Sequence, residues 1–202
     1  MINKFTRRFI IIALLSAGLW QLGEGTYIYA KAQLAQVLIL GAWEKGVANH
    51  QAVKPWSWAD TWPVARLMVP RLSIDQIVLA GDNGRALAFG PGHRIGSALP
   101  GAVGNSLISG HRDTHFSFLK ELRIGDTVLV QDQTGAVHQY VINAYEVIDE
   151  LMPIADWNER QLTLVTCYPF DAVMPGGPLR YVVTAIAKVH DNDAEKSSVI
   201  RF

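Results

Sequence analysis

From Arg66 onward, glycine and proline interrupt the chain at short intervals, and this rhythm limits what it can fold into. Between the breaks lie short runs rich in β-branched and aromatic residues, which favour strands. They are Arg66 to Val69, Gln76 to Leu79, Ser106 to Ser109, Thr127 to Gln131, Val137 to Ile148, Leu162 to Thr166 and Arg180 to Val189. The strongest breaks are Gly81-Asp82-Asn83-Gly84, Gly90-Pro91-Gly92, Pro100-Gly101 and Pro175-Gly176-Gly177-Pro178. Seven or eight short strands at this spacing predict a mainly β fold, a closed barrel or a sandwich. One short helix is expected over Phe116 to Leu122, with Phe118, Leu119 and Leu122 on one side. Asp191 to Phe202 is polar until its last residues and reads as a loose tail.

The segment before Arg66 has a different texture. Lys4, Arg7 and Arg8 precede an apolar stretch from Phe9 to Leu22 that only Gln21 interrupts. Positive charge ahead of an apolar run predicts a cytoplasmic N-terminus and export of the remainder. The run is 14 residues long, a length shared with signal peptides, and Ala30-Lys31-Ala32 fits a cleavage site. Glu24 and the distance to that site, with Tyr27 and Tyr29 as interfacial residues, favour an uncleaved signal-anchor over a cleaved peptide. Ala32 to Val47 places Leu34, Val37, Leu38 and Trp43 at helical spacing, which predicts an amphipathic helix packed on the domain or lying near the membrane. Pro55 to Pro63 holds Trp56, Trp58 and Trp62, the pattern of a linker docked by aromatic rings. The expected organisation is therefore an anchor over 1–30, a juxtamembrane helix and linker over 31–65, a β domain over 66–190 and a tail over 191–202.

Composition excludes several functions. Lys plus Arg and Asp plus Glu number 18 each, so no basic field draws in nucleic acid. A single cysteine rules out an internal disulfide and any zinc site built on paired thiols, and no metal or other cofactor is expected.

That cysteine, Cys167, closes the run Thr163-Leu164-Val165-Thr166 and opens a Pro/Gly-rich loop ending at Arg180. In strand geometry Thr163, Val165 and Cys167 share one face. His111 lies in a similar setting, after Ser106-Leu107-Ile108-Ser109-Gly110. A thiol, an imidazole and a guanidinium at strand ends make a candidate nucleophile, proton carrier and oxyanion donor. Taken singly, each has a plainer reading. A lone cysteine is commonly a small buried hydrophobe, His111 a turn or cap residue, and Arg180 a strand-start charge. His93 lies in a glycine turn and His138 in mid-strand. His115, close to His111, is the stronger competitor for the proton-carrier role.

Thr163-Leu164-Val165-Thr166-Cys167 resembles the TLxTC signature of the sortases, membrane-bound cysteine transpeptidases of bacteria. Gly90-Pro91-Gly92-His93, Leu99-Pro100-Gly101 and Gly104-Asn105-Ser106-Leu107-Ile108-Ser109-Gly110-His111-Arg112 resemble the segment bearing the sortase histidine. Phe118-Leu119 with Leu122-Arg123-Ile124-Gly125-Asp126, and Pro178-Leu179-Arg180-Tyr181-Val182-Val183, resemble the segments that follow. The resemblance runs from about Arg66 to Val189 in the family's order. It is strongest to the class reported from Gram-negative bacteria, which is related to class D. It implies an eight-stranded sortase β-barrel behind a retained membrane helix, and a catalytic set of Cys167, His111 and Arg180. It also implies a substrate protein with an LPxTG-like C-terminal signal, an amine acceptor, and a catalytic domain on the periplasmic side of the inner membrane. Thr166 is a further candidate for holding substrate or oxyanion. Two other readings share these residues: a peptidase that hydrolyses the same acyl-enzyme, and a tethered barrel that binds an envelope peptide with an inert Cys167.

Overall fold

A computed structural model describes residues 3–149, 159–172, 174 and 176–188. The expected tail over 191–202 lies outside the described residues. The chain divides into two compact units, residues 1–38 and 39–202. The first unit is helical, the N-terminal part of α1 (Lys4–Asn49), and its apolar side chains, among them Phe9, Leu15, Leu19 and Leu22, are exposed. At 46 residues α1 is about 69 Å long. It is long and apolar enough to cross a membrane, whose hydrocarbon core is about 30 Å thick.

α1 covers both the expected anchor and the helix expected after it. Gly23 and Gly25 weaken helix propensity by about 1 kcal/mol each, but no proline removes a hydrogen bond, so nothing breaks the helix. Of the expected face of its C-terminal part, Trp43 is buried, together with Ile39 and Ala42, whereas Leu34, Val37 and Leu38 are exposed. Ile39 clusters with Leu79 and Ala86. In the linker, Trp56 meets Phe89 edge to face at 5.3 Å and Trp62 packs on the main core, but Trp58 is exposed.

The second unit contains a closed eight-stranded barrel, ordered β1-β2-β3-β4-β7-β8-β6-β5. The strands are β1 (Pro63–Val69), β2 (Ile74–Ala80), β3 (Gly92–His93), β4 (Gly104–Ser109), β5 (Thr127–Asp132), β6 (Val137–Asp149), β7 (Arg160–Cys167) and β8 (Leu179–Ala187). Each of the seven expected runs forms a strand. The eighth, β3, closes the ring by pairing parallel with β2 and antiparallel with β4. The expected helix is a 3-10 turn over Ser117–Glu121.

Alternation along the strands sends one series of side chains inward. Leu67, Val78, Ile108, Val130, Ile142, Leu162, Leu164 and Val183 join one buried cluster, which Phe116, Phe118, Leu119 and Leu122 complete. Each such side chain contributes about 1.5–3 kcal/mol by leaving water. Tyr140 is fully buried, and its hydroxyl accepts a hydrogen bond from the Gly101 amide at 2.9 Å.

One pairing decides where a site can form. β4 and β7 are parallel neighbours, with Ser109 beside Val165. Their C-terminal ends therefore leave the sheet at the same end of the barrel. β8 is antiparallel to β7 and begins there, with Arg180 opposite Cys167. Three segments far apart in sequence thus share one rim.

Candidate active site

The outer face of the sheet β4-β7-β8-β6 forms the floor of a groove with a cavity volume of about 610 Å³. Strand register arranges this floor in rows. At the rim, Cys167 lies opposite Arg180, which lies opposite Ile148. The next row runs Ser109, Val165, Val182 and Glu146. The third runs Leu107, Thr163, Thr184 and Ala144. An irregularity between Ile142 and Ala144 shifts the alternation by one residue, so that Ile142 faces the core while Ala144, Glu146 and Ile148 all reach the groove. Asp82 and Arg94 line its wall as an ion pair at 2.7 Å.

Cys167, His111 and Arg180 all line this groove. Cys167 is a free thiol, half-buried. His111 is exposed, and the residue before it fixes its place. The Gly110 amide donates to the Val165 carbonyl at 3.1 Å, and the Gly110 carbonyl accepts from the Thr166 hydroxyl at 2.7 Å. A Cβ at Gly110 would fall 2.6 Å from the Phe116 ring, so only glycine lets the histidine segment run this close. The Arg180 guanidinium is half-buried and donates through Nη1 to the carbonyls of Gly177 at 2.7 Å and Leu179 at 3.0 Å.

Thr166 lines the same groove, whereas the other candidate histidines lie elsewhere. His93 is buried, with Nε2 at 2.9 Å from the Ala98 carbonyl and 3.1 Å from the Ser97 hydroxyl. His138 pairs with Asp132 at 2.7 Å. His115 is half-buried and does not line the groove. Burial chiefly, and the neighbouring charge of His111, hold its imidazole below the usual histidine range. Thr166 is buried, and its hydroxyl hydrogen is directed to the Gly110 carbonyl. Among the described residues, no three His, Cys, Asp or Glu side chains gather as a metal site.

Sequence reasoning gave no role to Arg112. Its side chain is buried, and Nη1 donates to the Pro169 carbonyl at 2.8 Å. Nη2 reaches the carbonyls of Ala172 at 2.6 Å and Met174 at 3.2 Å, and Nε reaches Asp113 at 3.0 Å. The one sequence signal was its place directly after the strand-end histidine. An arginine there reads equally well as surface charge. Aromatic rings secure the same loop: Tyr181 stacks on Tyr168 at 6.3 Å and meets Phe170 edge to face at 5.2 Å.

Known proteins share this barrel. Sortase D of Bacillus subtilis (strain 168) is 30% identical over 120 residues, or 58% of this chain and 60% of that protein. The chain thus spans less than two thirds of that relative's length. A Clostridium perfringens Sortase D5 transpeptidase superposes with a TM-score of 0.63 at 21% identity, covering 78% of this chain and 99% of that one. The catalytic domain of B. anthracis SrtD superposes with a TM-score of 0.54 at 30% identity, covering 63% and 88% of the two chains. The family model for the Sortase domain matches residues 67–188, from the first barrel strand to the last. By that match, which takes in more than half of its length, the chain belongs to the sortase family.

Proposed function

We propose that this protein is a membrane-anchored cysteine transpeptidase acting on an LPxTG-like signal near the C-terminus of a substrate protein. The observation that carries the reading is the meeting of Cys167, His111 and Arg180 on one groove. In the proposed reaction the Cys167 thiolate attacks the carbonyl carbon of the signal's threonine. The carbonyl π electrons move to oxygen, and the Arg180 guanidinium stabilises that anion with fixed positive charge. His111 donates a proton to the departing amine as the peptide bond breaks, leaving a thioester on Cys167. An incoming amine loses a proton to His111 and attacks the thioester. The thiolate leaves, an amide forms, and the enzyme is restored.

The groove floor supports a bound peptide in extended form. Its rows change from Val165 and Val182 near the thiol to Thr163 and Thr184 farther along, so apolar and polar side chains meet successive residues. α1 supports the anchor, and in this reading, which follows the resemblance to the Gram-negative class, the barrel lies on the periplasmic side of the inner membrane. Thr166 belongs in this scheme as the residue that ties the histidine segment to β7, beside the nucleophile.

Product analysis with and without triglycine tests transfer. The expected result is an amide product that grows with amine concentration at the expense of free acid. Free acid alone, at every amine concentration, would replace transpeptidation with hydrolysis. An unreactive thiol and no cleavage would leave a peptide-binding barrel.

A further inference from the structure

A buried guanidinium must satisfy its donors inside the protein, and Arg112 does so almost wholly at the nucleophile's loop. Three of its four hydrogen bonds go to carbonyls that follow Cys167, those of Pro169, Ala172 and Met174. The fourth goes to Asp113, whose carboxylate is mostly exposed. It directly follows His111, while the first carbonyl it binds lies two residues beyond Cys167.

The two chemistry-bearing segments are therefore joined twice. On the strand side, the Gly110 peptide is held by Val165 and Thr166. On the loop side, the Arg112 fork holds the backbone after Cys167. His111 and Cys167 lie between these ties. With only the first, the Cys167 loop could swing about its strand end while β7 stayed in place.

We propose that Arg112 is a positioning residue, a clamp that fixes the nucleophile loop against the histidine segment and so sets the Cys167–His111–Arg180 geometry. The proposal rests on the transpeptidase reading, whose chemistry it serves. A planar fork suits several carbonyls at once, whereas an ammonium is a point donor. Misplacing reacting groups by about 1 Å costs about a hundredfold in rate, and the loss appears in turnover rather than in binding.

The test uses the full chain in detergent micelles, with an LPxTG-like peptide, in wild type, Arg112→Met and Arg112→Lys. Kinetics are paired with amide hydrogen exchange over residues 168–174. Arg112→Met should lower kcat about a hundredfold with KM within about threefold. Exchange across that segment should accelerate about tenfold or more while the barrel strands keep their protection. Arg112→Lys should regain about tenfold of the lost turnover. Turnover within about threefold of wild type in Arg112→Met, a change confined to KM, or unaltered exchange would each overturn the proposal. Should Arg112→Met not fold, Arg112→Lys decides alone: slowed turnover at unchanged KM supports the clamp, and wild-type turnover refutes it. If wild type itself cleaves no peptide, the transpeptidase reading fails separately. Exchange then still decides whether Arg112 holds the loop.

Discussion

The two faces of β7 carry different burdens on one backbone. Leu162 and Leu164 point into the barrel and are almost fully buried, while Thr163, Val165 and Cys167 line the groove. Inward positions are fixed by volume and by the cost of exposing apolar surface. In the proposed reading, outward positions are fixed by what they present to a peptide. Thr166 links the two: it continues the inward series and is buried, yet its hydroxyl anchors the segment bearing His111. If this division is right, inward substitutions should change stability at constant chemistry, and substitutions around the groove should do the reverse.

The largest effect expected is at His111. His111→Ala should reduce turnover to background with an unchanged melting temperature, whereas His115→Ala should retain most activity. The reverse pattern, read from peptide cleavage, would reassign the proton carrier. Arg180→Lys should follow, losing about a hundred- to a thousandfold in kcat, because the ammonium lacks the planar fork. Near-normal rates would remove Arg180 from the oxyanion role. Across the sheet, Leu164→Ala should cost about 3 kcal/mol in denaturant unfolding while the folded fraction keeps its turnover. Lost turnover without lost stability would erase the distinction between the faces. Thr166→Val should lie between them. Leaving the Gly110 carbonyl without its donor should cost about 1–2 kcal/mol and also slow turnover.

The smallest effect expected is a pH dependence at His115. Its folded-state value is lowered, by burial first and by His111 second, so its cation is disfavoured in the native state. As pH falls through about 6.5, the unfolded chain takes up this proton before the folded one. The contribution to stability is therefore present above that pH and lost below it. His115→Asn should flatten the decline in denaturant midpoint between about pH 7.5 and 5. An identical decline in the variant would assign it to other groups.

Much of this was legible in the sequence because strands announce themselves locally. Runs such as Leu162 to Thr166 carry β-branched residues with breaks on either side, and each became a strand with its ends shifted by a few residues. β3 was not legible. Two residues, Gly92 and His93, have no periodicity, and a turn-forming glycine becomes a strand only through its neighbours β2 and β4. The buried face of α1 was legible only at Trp43. Leu34, Val37 and Leu38 are apolar as well, but they are exposed, while Ile39 and Ala42 are buried with Trp43. In the site, Cys167 stood out by being the sole thiol and Arg180 by its spacing from it. Arg112 did not, because its partners are backbone carbonyls, which every residue carries and no sequence pattern marks.

The claim on which the rest depends is that Cys167 becomes acylated. Intact-mass measurement of the full chain in micelles, mixed with an LPxTG-like peptide, tests it most directly, with Cys167→Ala alongside. The account predicts a mass increase equal to the acyl part of the peptide in wild type, absent from Cys167→Ala and cleared on adding an amine. A wild type that keeps its mass with every peptide offered, or an adduct that forms equally on Cys167→Ala, would contradict it.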